Sequence, residues 1–386
     1  MSSHSTVYLD YAATTPVDPR VFAAMRPFFD QDFGNPSSTH AYGQRAEAAV
    51  EQARENVARL LHCQPGEVVF TSCGSESDNL ALRGAAFAAR RARAADHILV
   101  AAGEHHAVAH TAEQLRDVFG FDVETLPLDG SGRVASEDVV ARIRPTTALV
   151  SVMYANNEIG TVNPIAEIGA ACRAHGVPFH SDAVQAAAYL PVDTQALYVD
   201  LLSLGAHKLY GPKGIGVLYV RRGTAVLPMQ TGGAQEAGLR AGTQNVPYIV
   251  GMAEALRLSD EERAVRRQHV QPLRDHLIGQ VLEAIPGAWL TGSPVYRLPN
   301  HASFAFEGVD GNTLLQLLDV AGFACSSGSA CKSGDPKPSG VLLALGLPPA
   351  LALGSLRVTL GKDTTLQDVE AFLAVLPGMV EKTRAL

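Results

Sequence analysis

The chain has 386 residues, of which 18% are charged and 47% hydrophobic, and its formal net charge at pH 7 is -8. This length allows one large domain with a sizeable core and a smaller second domain. The acidic balance argues against a nucleic-acid-binding surface, so we expect no direct nucleic-acid partner.

The first residues, MSSHSTVYLDYAATTP, lack the basic start and apolar run of a signal peptide. One long uncharged stretch, residues 338–356, is divided by prolines and glycines, so we interpret it as two buried segments joined by a turn rather than a membrane span. The five cysteines show no Cys-x-x-Cys spacing and indicate neither a disulfide framework nor a zinc site. We therefore expect a cytoplasmic protein without a membrane contact.

Short apolar runs alternate with amphipathic segments along the first part of the chain. The predicted strands are 67–71, 97–102, 121–128, 148–154 and 177–181. The predicted helices are 44–61, 75–93, 136–143 and 165–175. This alternation predicts an α/β fold with a mostly parallel sheet wrapped by helices.

The chain changes character beyond Ala234, where it becomes glycine-rich and polar before a long charged helix predicted from Ile249 to about Ala284. The remainder predicts a strand at HASFAFEG, a helix over 312–321 and a strand at SLRVTLG. We therefore expect a large domain over 16–257, and a small α+β domain formed by 1–15 and 258–386.

One lysine stands out in the stretch 203–220, SLGAHKLYGPKGIGVLYV, which contains two strand-like runs joined by glycine and proline turns. Lys208 lies beside His207 at this junction, on a segment rigid enough to hold an amine in place. Such a setting suits a lysine with a lowered pKa that forms a Schiff base. A surface lysine in a turn is the alternative for this pair alone.

Polar residues follow the predicted strands at the points where each strand ends. They are His105, Asn157, Asp182 and Lys208. The carboxyl ends of parallel strands share one edge of the sheet, and such folds bind ligands there. We therefore expect these side chains to converge on one site.

A glycine turn before Ser75 offers free backbone N–H groups to a phosphate at a helix start. Ser75 with Asp78 is equally well a helix cap.

His106 and His110 have metal-ligand spacing, but no carboxylate or cysteine completes a set, so we predict no metal site. Pyridoxal phosphate requires four groups of this kind. They are a lysine that forms the imine, an aspartate that holds the proton of the pyridinium nitrogen, a histidine that lies over the ring, and a helix start that binds the phosphate.

The motifs carry a resemblance over essentially the whole chain. In order they read YLDYAATTP, FGNPSS, TSCGSESDN, GEHHAV, NNEIGTV, HSDAVQ, AHKLYGPKGIGVLYVRR, LRAGT, SSGSAC and SLRVTLG. This series resembles the cysteine desulfurases, pyridoxal 5'-phosphate enzymes with the fold type I of aminotransferases and a seven-stranded type of sheet. The resemblance implies that L-cysteine is converted to L-alanine while sulfur passes to an enzyme cysteine as a persulfide. An acceptor protein, such as an iron–sulfur scaffold or a tRNA-thiolating enzyme, then receives it.

The resemblance also implies residue roles by position. Lys208 is similar to the Schiff-base lysine, His105 to the acid/base histidine, and Cys331 in SSGSAC to the nucleophile. Arg357 resembles the residue that binds the substrate carboxylate, with Asn157 and Asn35 as further substrate-binding residues. The implied cofactor-binding residues are Gly74, Ser75, His105, Asn157, Asp182, Gln185, Gly205, His207, Lys208 and Thr243. In the family, Thr243 reaches the phosphate from the second subunit of a homodimer.

Two positions depart from the family pattern. Gly205 stands where many members carry a serine that binds the phosphate, and Cys73 stands where glycine is usual. Cys63, Cys172 and Cys325 are interpreted as small buried hydrophobic residues.

Two other enzyme activities and one non-catalytic role are alternatives to this interpretation. A selenocysteine lyase or a small-amino-acid aminotransferase shares the architecture, and a non-catalytic scaffold is the alternative of another class. A nicotinamide dehydrogenase is disfavoured because G-x-G-x-x-G does not follow the first strand. The span from Cys331 to Arg357 resembles that of desulfurases with a longer loop, which favours a scaffold protein as acceptor.

Overall fold

The structure is a computed structural model that describes residues 6–328 and 337–385. The predicted nucleophile Cys331 lies outside the described residues. The strands are β1 Val7–Tyr8, β2 Val68–Thr71, β3 His97–Ala101, β4 Asp122–Leu126, β5 Thr147–Ser151, β6 Phe179–Asp182, β7 Leu201–Gly205, β8 Gly216–Val220, β9 Ala288–Leu290, β10 His301–Phe306, β11 Phe323–Ala324 and β12 Ser355–Thr359.

The helices cover the sheets and connect most of the strands. They are α1 Pro19–Met25, α2 Pro27–Asp30, α3 Ala41–Leu60, α4 Gly74–Arg93, α5 His106–Asp117, α6 Ser136–Arg142, α7 Ile165–Ala174, α8 Val246–Ala284, α9 Gly311–Val320, α10 Gly340–Ala344, α11 Pro349–Leu353 and α12 Leu366–Arg384. Short 3₁₀ helices lie at Pro65–Glu67, Ala206–Lys208 and Gln235–Gly238.

A seven-stranded sheet with the order β2-β8-β7-β6-β5-β3-β4 forms the centre of the molecule. Strands β3 to β7 pair in parallel, whereas β8 runs antiparallel to both β2 and β7. The predicted mostly parallel sheet wrapped by helices is therefore confirmed.

The central strands are apolar on both faces because helices cover the sheet on each side. Successive side chains of a strand point to opposite faces. Leu99 and Val150 pack with α3, α7 and α8 on one side. Their neighbours Ile98 and Leu149 pack with α4 and α5 on the other side. This packing fixes the register of the strands whose ends carry the polar residues.

A second, antiparallel sheet with the order β12-β10-β9 contains residues of the predicted small domain, and β1 pairs in parallel with β11. Helix α8 runs without interruption through the expected boundary between residues 257 and 258. The division into 16–257 and the remainder stays a prediction.

The uncharged stretch 338–356 differs from its expectation. It forms the short helices α10 and α11 before entering β12, and only Val341, Leu342 and Ala352 of these two helices are buried. Fewer residues of this stretch are buried than its apolar composition predicts. Across the described ranges, no helix combines the length and the apolar character that crossing a bilayer requires.

Candidate active site

A cavity of about 300 Å³ opens where the parallel strands end. The residues that line it come from distant parts of the chain. They are Ala12, Ala13, Cys73, Gly74, Ser75, Asp78, His105, Met153, Asn157, Asp182, Val184, Gln185, His207, Lys208 and Arg357. The structure thus brings the predicted residues His105, Asn157, Asp182 and Lys208 together at one edge of the sheet.

Lys208 reaches the cavity from the 3₁₀ helix that follows β7. Its Nζ donates to the carbonyl oxygens of Ala12 at 2.5 Å and Ala13 at 2.6 Å. Burial, helped by the nearby charge of Arg357, lowers the pKa of the Lys208 amine to about 8. Uncharged carbonyl partners and a lowered pKa make this amine available as a nucleophile near neutral pH.

Asp182 and His105 face one another across the cavity. Asp182 is the last residue of β6, and its Oδ1 accepts from the backbone N–H of Val184 at 2.9 Å. The Nδ1 of His105 accepts from the backbone N–H of Ala107 at 3.1 Å, which leaves Nε2 to carry the proton of the neutral ring. Burial raises the pKa of Asp182, and the neighbouring His105 opposes that rise.

Asp78 is a buried carboxyl that the sequence did not assign to the site. It is 1% exposed, and its Oδ1 has no hydrogen-bond partner within the described residues. Burial, with a further contribution from Asp182, raises the pKa of Asp78 well above its usual value. Ligand atoms of Asp78, His105 and Asp182 lie within 4.8 Å of one another. Two carboxyl groups this close do not both ionise readily, so Asp78 favours its neutral form beside Asp182.

The cavity lining also includes the first turn of α4. A side chain at Gly74 would place its Cβ 2.7 Å from Val184 Cγ2, so a larger residue there would force the Val184 side chain to shift. The cap of α4 is Cys73 rather than Ser75 or Asp78, because Cys73 Sγ accepts from the N–H of Glu76 at 3.4 Å. The N–H groups of Gly74 and Ser75 therefore remain available for an anion.

These residues fit pyridoxal 5'-phosphate. Asp182 and Asp78, whose Oδ1 lies 3.6 Å from His180 Nε2 without a hydrogen bond, suit a protonated ring nitrogen, and the start of α4 suits a phosphate. His207 also lines the cavity, with Nδ1 3.2 Å from Thr14 Oγ1. Lys208 lies in the same cavity, where it could bind the aldehyde carbon.

Arg357 on β12 lines the cavity and is almost completely buried. Its Nη1 donates to the backbone oxygen of Asn157 at 2.9 Å, and its Nη2 donates to Asp10 Oδ1 at 2.8 Å. Asn157 lies within a turn in which Asn156 Oδ1 accepts from the N–H groups of Glu158 and Ile159. A guanidinium held this way can present its remaining donors to a carboxylate.

Three predicted residues stand apart from the cavity lining. Asn35 and Thr243 are exposed and do not line the cavity of this chain. Gly205, at the end of β7, does not line it either, but a Cβ built there would lie 3.6 Å from the backbone nitrogen of Gly74. A serine at this position would therefore reach the proposed phosphate end.

The amino-terminal segment, residues 10–15, is a part of the site that sequence reasoning missed. The segment accepts two hydrogen bonds from Lys208, and the Ala12 carbonyl also accepts from Gln185 Nε2 at 2.9 Å. The Thr15 hydroxyl donates to the His207 carbonyl at 3.0 Å. The only signal was the motif YLDYAATTP, which was recognised without any residue being assigned a role.

The described cysteines differ in burial. Cys172 is fully buried, and Cys63 and Cys325 pack against the main core. Burial raises the pKa of Cys63 and of Cys172 to about 12 and also raises that of Cys325. These thiols are poor nucleophiles at neutral pH.

The chain is similar to known proteins over nearly its whole length. The profile of the aminotransferase class-V family matches residues 7–372. The cysteine desulfurase IscS of Dictyoglomus turgidum is 44% identical over 380 residues, which cover 98% of this chain and 96% of that protein.

Two solved structures extend the agreement to the fold. A NifS-like protein superposes with a TM-score of 0.90 at 36% identity, covering 98% of this chain and 100% of that one. The structure of SspA in complex with cysteine gives a TM-score of 0.80 at 36% identity, covering 93% of this chain and 100% of that one. The resemblance found in the sequence is confirmed, and the chain belongs to the aminotransferase class-V family.

Proposed function

We propose that this chain is a cysteine desulfurase that converts L-cysteine to L-alanine and transfers the sulfur through Cys331 to an acceptor protein. The observation that carries the proposal is the meeting of Lys208, Asp182 and Arg357 in one cavity of about 300 Å³. The similarity to a cysteine desulfurase at 44% identity supports the choice of substrate, as does the complex of the related SspA with cysteine.

Pyridoxal 5'-phosphate is the cofactor of this family, and when bound it supplies an electron sink for bonds at the substrate α-carbon. In our proposal, Asp182 holds the proton of the ring nitrogen with the support of Asp78. Gly74, Ser75 and His207 hold the phosphate, whereas Gly205 contributes only its backbone. Asn157 and Gln185, which line the same cavity as Lys208, would bind the phenolic oxygen of the ring.

In the proposed reaction, Lys208 moves the proton and His105 supports the step as a hydrogen-bond donor. The amine of Lys208, with a pKa of about 8, is neutral in about one molecule in ten at pH 7 and can then accept a proton. His105 carries its proton on Nε2, since Nδ1 accepts from the Ala107 N–H. Burial lowers the pKa of His105, which keeps the ring neutral with Nε2–H as its donor.

Arg357 would bind the substrate carboxylate, and Cys331 would take the substrate sulfur. The backbone of Arg357 pairs with Ser326 in both directions, with N···O distances of 2.7 and 3.3 Å. The chain that leads to Cys331 therefore leaves from a position beside Arg357. We propose an iron–sulfur scaffold protein as acceptor, with a tRNA-thiolating enzyme as the alternative, and keep the cytoplasm as the predicted compartment.

We further propose a homodimer in which the partner subunit's Thr243 and Asn35 complete the two sites. An exposed aromatic patch near Asn35 supports this arrangement. Phe33 is 65% exposed and lies 5.4 Å from Tyr42, and Phe29 is 55% exposed and lies 6.2 Å from Tyr248, measured between ring centroids. Clustered exposed aromatic residues are typical of protein–protein interfaces.

Sedimentation of the Phe29→Asp and Phe33→Asp double variant tests the dimer. We expect monomers that bind the cofactor weakly. The matched control is Val320→Asp, at a position that is 88% exposed on α9, and it should remain dimeric. A double variant that stays dimeric would remove this patch from the interface.

The activity itself is tested with purified enzyme and L-cysteine. We expect equal amounts of alanine and of sulfur transferred, together with a persulfide on Cys331 detected by mass spectrometry. Cys331→Ser should still bind the cofactor and cysteine but form no persulfide. Persulfide on that variant would disprove the role of Cys331. Strong preference for selenocysteine, or transfer of the amino group, would identify one of the competing activities.

A further inference from the structure

The partly buried carboxylate of Asp10 pairs with one end of the guanidinium that lines the active-site cavity. Asp10 Oδ1 lies 2.8 Å from Arg357 Nη2, and the two side chains are 17% and 8% exposed. Asp10 also forms a bridge with Thr359, two residues after Arg357 on β12. Residues i and i+2 of a strand share a face, so the backbone pairing places the carboxylate beside the guanidinium.

Further contacts hold Asp10 and Arg357 in this arrangement. The Tyr8 hydroxyl donates to the backbone oxygen of Asp10 at 3.0 Å. On the other side of the guanidinium, the backbone oxygen of Asn157 accepts from Arg357 Nη1 at 2.9 Å and lies 3.2 Å from His301 Nε2. Arg357 is therefore oriented by the protein before any ligand arrives, and its remaining N–H groups are left for one.

We propose that Asp10 is a positioning residue that tunes the carboxylate-binding site: it fixes the orientation of Arg357 and balances its charge. The inference rests on the proposed role of Arg357 in binding the substrate carboxylate. A balanced guanidinium binds that carboxylate mainly through oriented hydrogen bonds, because the net charge of the Asp10–Arg357 pair is zero. The site thereby avoids holding the carboxylate of the alanine product too tightly.

The same charge balance extends to Lys208, whose nitrogen shares the cavity with Arg357. The charged and titratable groups that act on this nitrogen or line the cavity around it are Arg357, Asp10, Asp182, Asp78, His105 and His207. Arg357 lowers the pKa of the Lys208 amine, whereas Asp10 raises it. Removing the Asp10 charge leaves Arg357 uncompensated and disfavours a cation at the Lys208 nitrogen.

Asp10→Asn in the holoenzyme tests the inference, because it keeps an oxygen acceptor of similar shape and removes the charge. The dissociation constant of L-alanine, followed by the absorbance of the bound cofactor at low salt, should fall by about 5-fold. Without ligand, the pH midpoint of the visible absorbance should move down by roughly 0.5 to 1 unit. The second readout would not move if Asp10 had only a structural role.

Two further variants separate the possible outcomes. Asp117→Asn removes an exposed carboxylate at the distant end of α5 and should change neither quantity. Arg357→Gln should abolish alanine binding. If it does not, the proposed role of Arg357 fails, and the inference about Asp10 fails with it.

The inference alone is overturned if Arg357→Gln abolishes alanine binding while Asp10→Asn changes neither the L-alanine constant nor the absorbance midpoint. Should Asp10→Asn fail to fold, Asp10→Ser provides a second neutral side chain. Its absorbance midpoint should also move down, and a midpoint equal to that of the unmodified enzyme contradicts the inference.

Discussion

Lys208 Nζ lies 2.5 Å from the carbonyl oxygen of Ala12, 196 residues away along the chain. A second carbonyl, that of Ala13, accepts from the same amine at 2.6 Å. Neither carbonyl carries the charge of a carboxylate, so burial is compensated only in part and the ammonium form is disfavoured. The amino-terminal segment thus holds the amine in place without making it permanently charged.

The first prediction concerns the pH dependence of cofactor attachment. Only a neutral amine attacks an aldehyde, so the rate at which the cofactor-free protein binds pyridoxal 5'-phosphate covalently should rise with pH. Because the pKa of Lys208 is lowered from 10.5 to about 8, the rate should reach half its maximum near pH 8. Stopped-flow absorbance measures it. A midpoint above pH 10 would contradict this environment for Lys208, and Lys208→Arg should show no covalent attachment.

The second prediction is that Gly205→Ser tightens cofactor binding. The new Cβ would lie 3.4 Å from Val184 Cγ1 and 3.6 Å from the nitrogen of Gly74, which are ordinary contact distances. A serine hydroxyl there can donate to the phosphate, and one such bond contributes about 1 kcal/mol, or roughly a 5-fold lower dissociation constant.

Equilibrium titration of the Gly205→Ser variant with the cofactor gives the dissociation constant. Gly279→Ser is the control, since a Cβ built at Gly279 in α8 has no neighbour within 4 Å. Both substitutions add a hydroxyl, but only the one at Gly205 lies near α4. Equal affinities for the two variants would place the phosphate elsewhere.

The third prediction concerns the buried ion pair between Arg54 and Glu236. Arg54 Nη1 and Nη2 contact the two carboxylate oxygens of Glu236 at 2.8 and 2.9 Å. Glu236 also accepts from the backbone N–H of Phe70 at 2.9 Å, which ties the 3₁₀ helix Gln235–Gly238 to β2. Glu236→Ala removes the buried partner of Arg54, which keeps only the exposed Glu51 and the Val68 carbonyl, and should lower the free energy of unfolding by about 3 to 5 kcal/mol.

Denaturant unfolding measures this cost. The control is Asp117→Ala, which breaks an ion pair with Arg116 at the surface and should leave the free energy of unfolding almost unchanged. A similar small effect for Glu236→Ala would show that the buried pair contributes little.

The fourth prediction concerns the cysteine that caps α4. A serine oxygen is a better acceptor than sulfur for the Glu76 N–H that Cys73 Sγ now accepts at 3.4 Å. Cys73→Ser should therefore keep or raise the stability, whereas Cys73→Ala should lose the cap and cost about 1 kcal/mol. Thermal unfolding of the two variants provides the comparison. If the alanine variant were as stable as the serine variant, Cys73 would have no capping role.

Much of the site followed from the sequence because strand ends are local features. An apolar run followed by His105, Asp182 or Lys208 is visible in the sequence, and a parallel sheet brings such ends to one edge. The orientation of Arg357 could not be predicted from the sequence in this way, since it depends on Asp10, 347 residues away. No local pattern encodes a contact of that range.

Two other features show where sequence patterns reached their limit. Asp78 resembled a cap residue, and only the path of α4 shows that it is buried beside Asp182. Asn35 and Thr243 carry family motifs, but the cavity of one chain does not include them. We propose that they act across two subunits, and the fold of a single chain cannot place such residues.

The most direct test of the account is to reduce the purified enzyme with borohydride and to map the modified peptide by mass spectrometry. We predict one pyridoxyl group per chain, attached to Lys208, and loss of the visible absorbance band on reduction. A pyridoxyl group on another lysine such as Lys213, or no modified peptide from a protein that is fully active with L-cysteine, would contradict the central claim.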